Sequence, residues 1–190
     1  MRVYSVYHEE NTVTTAHVFI AASLDGFIAT RDGDVSWLTP NGAENEDHGY
    51  DSFYGSVDGI IMGRGTWEVV SNFDPWPFDK PVIVLSGSLT QEDVPAAQQK
   101  TVRIWNTSLP ETMRKVSAEG WSRAYIDGGK LIQSALAEGL VQDMILTRIP
   151  VLLGSGLPLF GSLPKAIPLK HLRSESFPSG LVQSHYQIAP

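Results

Sequence analysis

The sequence has no cysteine in its 190 residues. That excludes disulfides, zinc-thiolate sites and a cysteine nucleophile, and it suits a cytoplasmic protein. No apolar run approaches the roughly 20 residues of a membrane-spanning helix. Met1 to Thr15 lacks the apolar stretch of a secretory signal. Residues 1–16 read instead as a polar extension, with Tyr4 and Tyr7 suited to docking on a body that begins at His17. Positive charge is scarce: 14 Lys and Arg stand against 21 Asp and Glu, a net charge of −7. A nucleic-acid surface is therefore not expected, although a local basic pocket is compatible with that balance. His8, His17, His48, His171 and His185 are scattered without metal-ligand spacing, so no metal site is expected. There is no G-x-G-x-x-G, no Gly-Lys-Ser/Thr ending and no G-x-S-x-G. A Rossmann fingerprint, a P-loop and a hydrolase elbow are thus all missing.

What is present is ordinary in bulk: 42% hydrophobic and 18% charged residues, enough chain for one domain with a sizeable core over residues 17–190. Its organising stretch is Ala124 to Phe160. Ala124-Tyr125-Ile126 is a short apolar run fit for a buried strand. Asp127-Gly128-Gly129 turns into an amphipathic helix, with Leu131, Ile132, Ala135 and Leu136 on one stripe. Gly139 stands where such a helix ends, and Met144 to Ile149 is the next strand. Two glycines before a helix leave its free N–H groups open to an anion. The same pair serves equally as a tight turn with no ligand.

The rest of the chain repeats the pattern. His17 to Ala22 reads as a central strand, followed by turns at Asp25-Gly26 and Asp32-Gly33. Trp37 lies in the irregular stretch that follows, either as part of a lid or, with Leu24 and Phe27, as a plug at the core edge. Glu44 to Val57 has helical spacing, with Glu46, Asp47 and Asp51 near its start. Ile60-Ile61-Met62 is a strand covered on both faces, and Gly63-Arg64-Gly65-Thr66 turns it into a short helix. Pro81 to Leu85 is a strand ending in Ser86-Gly87-Ser88. Thr101 to Trp105 is a fourth strand, and Ser108 with Glu111 has capping-box spacing before a helix to about Glu119. Pro150 to Phe160 is a Gly/Pro-rich loop. Ile167 to Phe177 and Leu181 to Ile188 form a closing hairpin. The expectation is an α/β fold, a mostly parallel central sheet with an antiparallel C-terminal hairpin. Three anion-friendly turns at the C-terminal ends of parallel strands suit a ligand with several phosphates, because ligands of open α/β sheets bind there.

Five stretches, SLDGFIA (23–29), IIMGRGTWE (60–68), VIVLSGS (82–88), YIDGGKLIQSAL (125–136) and GLVQDMILTRIPVLLGSGLPLFG (139–161), resemble the dihydrofolate reductase superfamily. The closer likeness is to the reductase domain of bacterial riboflavin-biosynthesis deaminase-reductases and its stand-alone relatives. The resemblance implies a three-layer α/β/α dihydrofolate reductase-like fold and an NADPH-dependent reductase. It implies a pyrophosphate held by Gly63, Arg64, Gly65 and Thr66 together with Ile126, Gly128, Gly129, Lys130 and Leu131. Leu85, Ser86 and Gly87 would reach the 2′-phosphate. Ala21 and Ala22 would orient the nicotinamide, bordered by Leu24, Asp25 and Gly26. Asp47 would be the proton-assisting acid, with Asp51 and Glu46 as neighbours, and Thr147 its supporting threonine. The implied reaction is hydride transfer to a C=N or C=O of a pyrimidine- or pterin-like substrate, like that of 5-amino-6-(5-phosphoribosylamino)uracil reductase. Dihydrofolate reductase activity and a catalytically silent NADPH-binding module are the alternatives. Two-fold homodimers through sheet edges are also implied.

Overall fold

The computed structural model describes residues 13–38 and 46–189. The docking expected of Tyr4 and Tyr7, and the start of the helix expected from Glu44, lie outside the described residues.

Among the described residues, ten strands and four α-helices follow one another as β1 (Thr15–Ser23), β2 (Phe27–Ala29), α1 (Tyr50–Gly55), β3 (Gly59–Gly63), α2 (Arg64–Val70), β4 (Val82–Leu85), β5 (Val102–Trp105), α3 (Leu109–Ala118), β6 (Arg123–Asp127), α4 (Gly129–Ala137), β7 (Val141–Ile149), β8 (Leu157–Pro158), β9 (Leu169–Ser176) and β10 (Val182–Ile188). Eight of the strands make one sheet in the order β5-β4-β3-β6-β1-β7-β10-β9. The run from β5 to β7 is parallel, and β10 and β9 add the antiparallel hairpin edge. β2 and β8 form a separate short pair.

Burial explains the strands that show no alternation of apolar and polar residues. Ile60, Ile61, Met62, Val82, Ile83 and Val84 are all fully buried, as expected where helices cover both faces of a parallel sheet. On one face Ile61, Ile83 and Ile126 pack under α3 and α4. On the other, Ile60, Met62 and Tyr125 pack under Phe53 of α1 and Trp67 of α2. The result is the three-layer α/β/α arrangement expected from the sequence.

The helix expected over Glu44 to Val57 is much shorter. α1 begins only at Tyr50, after Gly49 in a left-handed conformation at φ 75°. Local polar groups draw the preceding residues away from helical geometry. Asp47 Oδ1 accepts the Gly49 amide at 2.7 Å, and the Glu46 carboxylate accepts the Ser179 amide at 2.8 Å. Asp47 is therefore not on the helix. Of the residues proposed as lid or plug, Trp37 packs against Ile149 and Leu181 and is a plug, whereas Leu24 is 59% exposed and plugs nothing. At α3, Ser108 Oγ accepts the Glu111 amide at 3.4 Å, the forward half of the expected capping box.

Candidate functional site

The C-terminal tips of β4, β3, β6, β1 and β7 stand side by side in that order. Gly63 is in register with Leu85, and Met62 with Asp127. The turns Gly63–Thr66, Ser86–Ser88 and Asp127–Lys130 are therefore neighbours on one edge of the sheet. α2 and α4 start at adjacent tips, one on each face, and neither has a side-chain cap on its first turn. Their uncapped amides present partial positive charge to one spot. Gly128 makes the junction possible. Its φ of 99° is left-handed, and a Cβ there would overlap Thr66 Oγ1. Gly129 is closed in as well, because its Cβ would lie 2.7 Å from Ile28 Cδ1 and 3.2 Å from the Pro158 carbonyl. Gly63 and Gly65 face open space, so an approaching ligand would meet bare backbone there.

Around this junction, side chains are arranged for a charged ligand. Arg64 Nη1 donates to Ser88 Oγ at 3.1 Å, which ties the β3 turn to the β4 turn. Ser86 Oγ accepts the amides of Ser88 and Leu89 at 3.1 and 3.0 Å. The contact of Arg64 with Glu68, 3.5 Å between exposed groups, adds little and leaves the guanidinium available. At the β1 tip, Asp25 receives the Ser23 hydroxyl at 2.6 Å and the amides of Leu153 and Gly154 at 3.2 and 2.7 Å. These bonds, Ser23 first, hold its carboxyl below the usual carboxylate range. Asp25 thus pins the 152–156 loop to β1 with its side chain. A hollow of about 360 Å³ opens here, lined by Ala22, Leu24, Gly26, Arg148 and Phe160 among others. A larger one of about 450 Å³, bounded by Gly139, Val141 and Ile188, lies at the other end of the sheet, away from the turns.

Beyond the junction, on the α1 side, lies an acid that sequence reading took only for a turn residue. Asp127 is the last residue of β6, half-buried. Burial pushes its carboxyl up to about 6, against the lowering effect of the Gly128 amide and the nearby Tyr125 hydroxyl, whose proton goes to the Phe19 carbonyl at 2.9 Å. Its charge also acts on Tyr50, whose hydroxyl is raised first by burial and then by Asp127. Phe19, Tyr50, Phe53 and Tyr125 wall this corner, with ring centroids 5.5 Å apart for Phe19–Tyr50 and 5.1 Å for Phe53–Tyr125. A carboxylate ending an apolar run just before Gly-Gly was the available signal. Placed there it is half-desolvated and beside the anion-binding turn.

A family model for the RibD C-terminal domain matches residues 14–183. The chain belongs to the RibD C-terminal domain family. It is 36% identical over 172 residues to the uncharacterized protein YwjB of Bacillus subtilis (strain 168), a match spanning 89% of this chain and 95% of that one. Among solved structures it is similar to a putative riboflavin biosynthesis protein from Shewanella sp. PV-4, with a TM-score of 0.86 and 38% identity over 93% of this chain and all of that one. A Thermotoga maritima deaminase/5-amino-6-(5-phosphoribosylamino)uracil reductase shares the fold at a TM-score of 0.68 and 15% identity; the match covers 93% of this chain and 57% of that one.

This RibD C-terminal domain brings most of the expected cofactor residues to one edge. Gly63, Arg64, Gly65, Thr66, Gly128, Gly129 and Lys130 gather at the β3/β6 junction, Leu85 to Gly87 at the next tip, and Ala21 to Gly26 at β1. The expected acid and its threonine do not meet directly. Asp47 is exposed before α1. Thr147 is buried, and its Oγ1 accepts Gln183 Nε2 at 3.0 Å, while that same nitrogen reaches the His48 carbonyl at 3.0 Å. Thr147 therefore braces the backbone next to Asp47, not the Asp47 carboxylate. Among the described residues there is no grouping of acids and histidines that would hold a metal, and no helix long and apolar enough to cross a membrane.

Proposed function

We propose that the chain is an NADPH-dependent reductase that delivers a hydride to a C=N or C=O of a pyrimidine- or pterin-like heterocycle. The observation that carries this reading is the meeting of two uncapped helix starts, α2 and α4, at adjacent strand tips, with Thr66 packed against Gly128. The site fits a dinucleotide phosphate: its glycines leave bare backbone, its first-turn amides lack side-chain caps, and Arg64 supplies a cation. When bound, NADPH supplies the hydride.

The chain's own residues have distinct tasks. Amides of residues 64–66 and 129–131 hold the pyrophosphate. Arg64 and the Ser86–Ser88 turn take the 2′-phosphate. Backbone at Ala21 and Ala22 orients the carboxamide, with Leu24 and Gly26 alongside. We assign the acid's role to Asp127 in preference to Asp47. Its pKa, raised to about 6, keeps a minor protonated fraction near neutral pH that can pass a proton to a ring nitrogen and be replenished from water. Thr147 and Gln183 fix the backbone at His48 and so the entrance to α1. β9 is exposed at all eight of its residues, and its free edge supports a two-fold contact with a second copy.

The test is a fluorescence titration with NADPH, followed by a screen of pyrimidine and pterin substrates for loss of cofactor absorbance. Binding and turnover are expected. No NADPH binding at millimolar concentration would overturn the reading, and binding without turnover of any heterocycle would reduce it to a silent binding module.

A further inference from the structure

The turn between β1 and β2, which flanks the nicotinamide in the proposed complex, is braced from two sides. On one side the Leu24 amide donates to the Val151 carbonyl at 2.9 Å, and on the other the Leu159 amide donates to the Gly26 carbonyl at 2.9 Å. Leu159 is fully buried. Gln133 Nε2, on α4, donates to the carbonyls of Pro158 and Leu159 at 3.0 and 3.1 Å. The start of α4 reaches the same segment, because Ile28 and the Pro158 carbonyl close on Gly129. A run of direct contacts therefore links the phosphate-facing end of α4 to the turn at the β1 tip.

Asp25 is the side chain that closes this frame. Its Oδ1 accepts the Ser23 hydroxyl at 2.6 Å and the Leu153 amide at 3.2 Å, and its Oδ2 accepts the Gly154 amide at 2.7 Å. Three of the roughly four acceptor positions of a carboxylate are thus taken up within the chain, by bonds that its charge strengthens. Ser23 is buried, and its Oγ accepts the Phe27 amide at 2.9 Å, so the same network continues into β2. Leu24 is 59% exposed and Phe160 44% exposed, yet both line the hollow of about 360 Å³ at this tip. Polar bonds beneath the rim, rather than core packing, hold its apolar side chains in place.

We infer that Asp25 is a positioning residue: it does not bind the cofactor itself, and its carboxylate fixes the Ser23–Gly26 turn and the 151–154 loop as one frame, so that the nicotinamide end enters a pocket formed before the cofactor arrives. This rests on the reductase reading and deepens it by separating Asp25 from the residues that touch the ligand. A turn and a loop that became ordered only on binding would subtract their ordering cost from the affinity, and a frame fixed in advance avoids that cost. The saving falls on one part of the ligand. The frame borders the nicotinamide half, whereas Arg64 and the Ser86–Ser88 turn, which take the 2′-phosphate, lie at other strand tips. Loosening Asp25 therefore weakens the whole dinucleotide and spares its adenosine half.

The test titrates the full chain calorimetrically with NADPH and with adenosine 2′,5′-bisphosphate, which lacks the nicotinamide half. Wild-type binding of NADPH is measured first, and its failure would overturn the reductase reading and this inference with it. Asp25→Asn keeps the shape of the side chain but replaces one acceptor oxygen with an NH₂ group. It should weaken NADPH about fivefold or more while leaving the Kd of the bisphosphate unchanged. Ser23→Ala, which removes one of the three bonds, should give a smaller shift in the same direction. Amide hydrogen exchange at Leu153 and Gly154 should quicken in both variants. An unmoved NADPH Kd, or a loss shared equally by the two ligands in a folded variant, overturns the inference and leaves the reductase reading intact. Weaker NADPH binding without faster exchange at Leu153 and Gly154 overturns it too, because it would make Asp25 a direct ligand of the cofactor.

Discussion

The Cα of Gly128 faces Thr66 so closely that no side chain fits between them. Two helices on opposite faces of the sheet are thereby held with their first turns together. Gly128→Ala would add both a steric overlap and a residue at φ 99°. A left-handed conformation alone costs about 1–2 kcal/mol. The variant should melt roughly 5 °C lower or more, with NADPH binding weakened in parallel. Adding Thr66→Ala should recover part of the melting temperature, because it removes the overlap but not the φ strain. No recovery in this double-mutant cycle would dissociate the two residues.

Asp127 makes stability depend on pH in a definite direction. Its folded pKa, about 6, lies above the ordinary aspartate value of 3.8. A raised carboxyl pKa means that the fold favours the protonated form. Its contribution is therefore fully present below the unfolded value and is lost as pH rises through 6. The difference corresponds to about 3 kcal/mol. Asp127→Asn should abolish this loss, so that wild type and variant differ little in melting temperature at pH 4 and by several degrees at pH 8. Parallel curves across that range would refute the assignment. The same variant should lower kcat at least tenfold while leaving NADPH affinity unchanged.

Arg64 is the guanidinium that ties the β3 turn to Ser88. If it holds the 2′-phosphate, Arg64→Ala should weaken NADPH about tenfold and leave NADH unaffected, since only the former carries that group. Equal losses for both coenzymes would assign Arg64 to the pyrophosphate instead.

Glu46 fastens the residues ahead of α1 to the β9–β10 turn. Its carboxylate accepts the Ser179 amide at 2.8 Å and hydroxyl at 2.5 Å, and the Ser179 hydroxyl is the first cause of its lowered pKa. Glu46→Gln keeps the shape and removes the charge. The heterocyclic substrate should bind roughly threefold more weakly, with the Kd of NADPH unmoved. A change confined to NADPH would contradict the placing of the entrance to α1 on the substrate side.

Sequence alone determined the repeating units of strand, glycine turn and helix, because apolar runs, Gly-Gly at 128–129 and the stripe from Leu131 to Leu136 are local signals. It also marked the hairpin end of the chain and most of the anion-binding turns. Tertiary structure decided which turns are neighbours: inserting β6 between β3 and β1 brings Gly128 to Thr66 across 62 residues of chain. It decided where α1 starts as well. Periodicity carried that helix back to Glu44, but the bonds of Glu46 to Ser179 and Asp47 to Gly49 compete with helical geometry, and the first is a long-range contact. Asp127 is the clearest case. Its identity is legible in the sequence, but a carboxyl's pKa depends on what surrounds it, and only folding puts it beside Tyr50 and Tyr125 and half out of water.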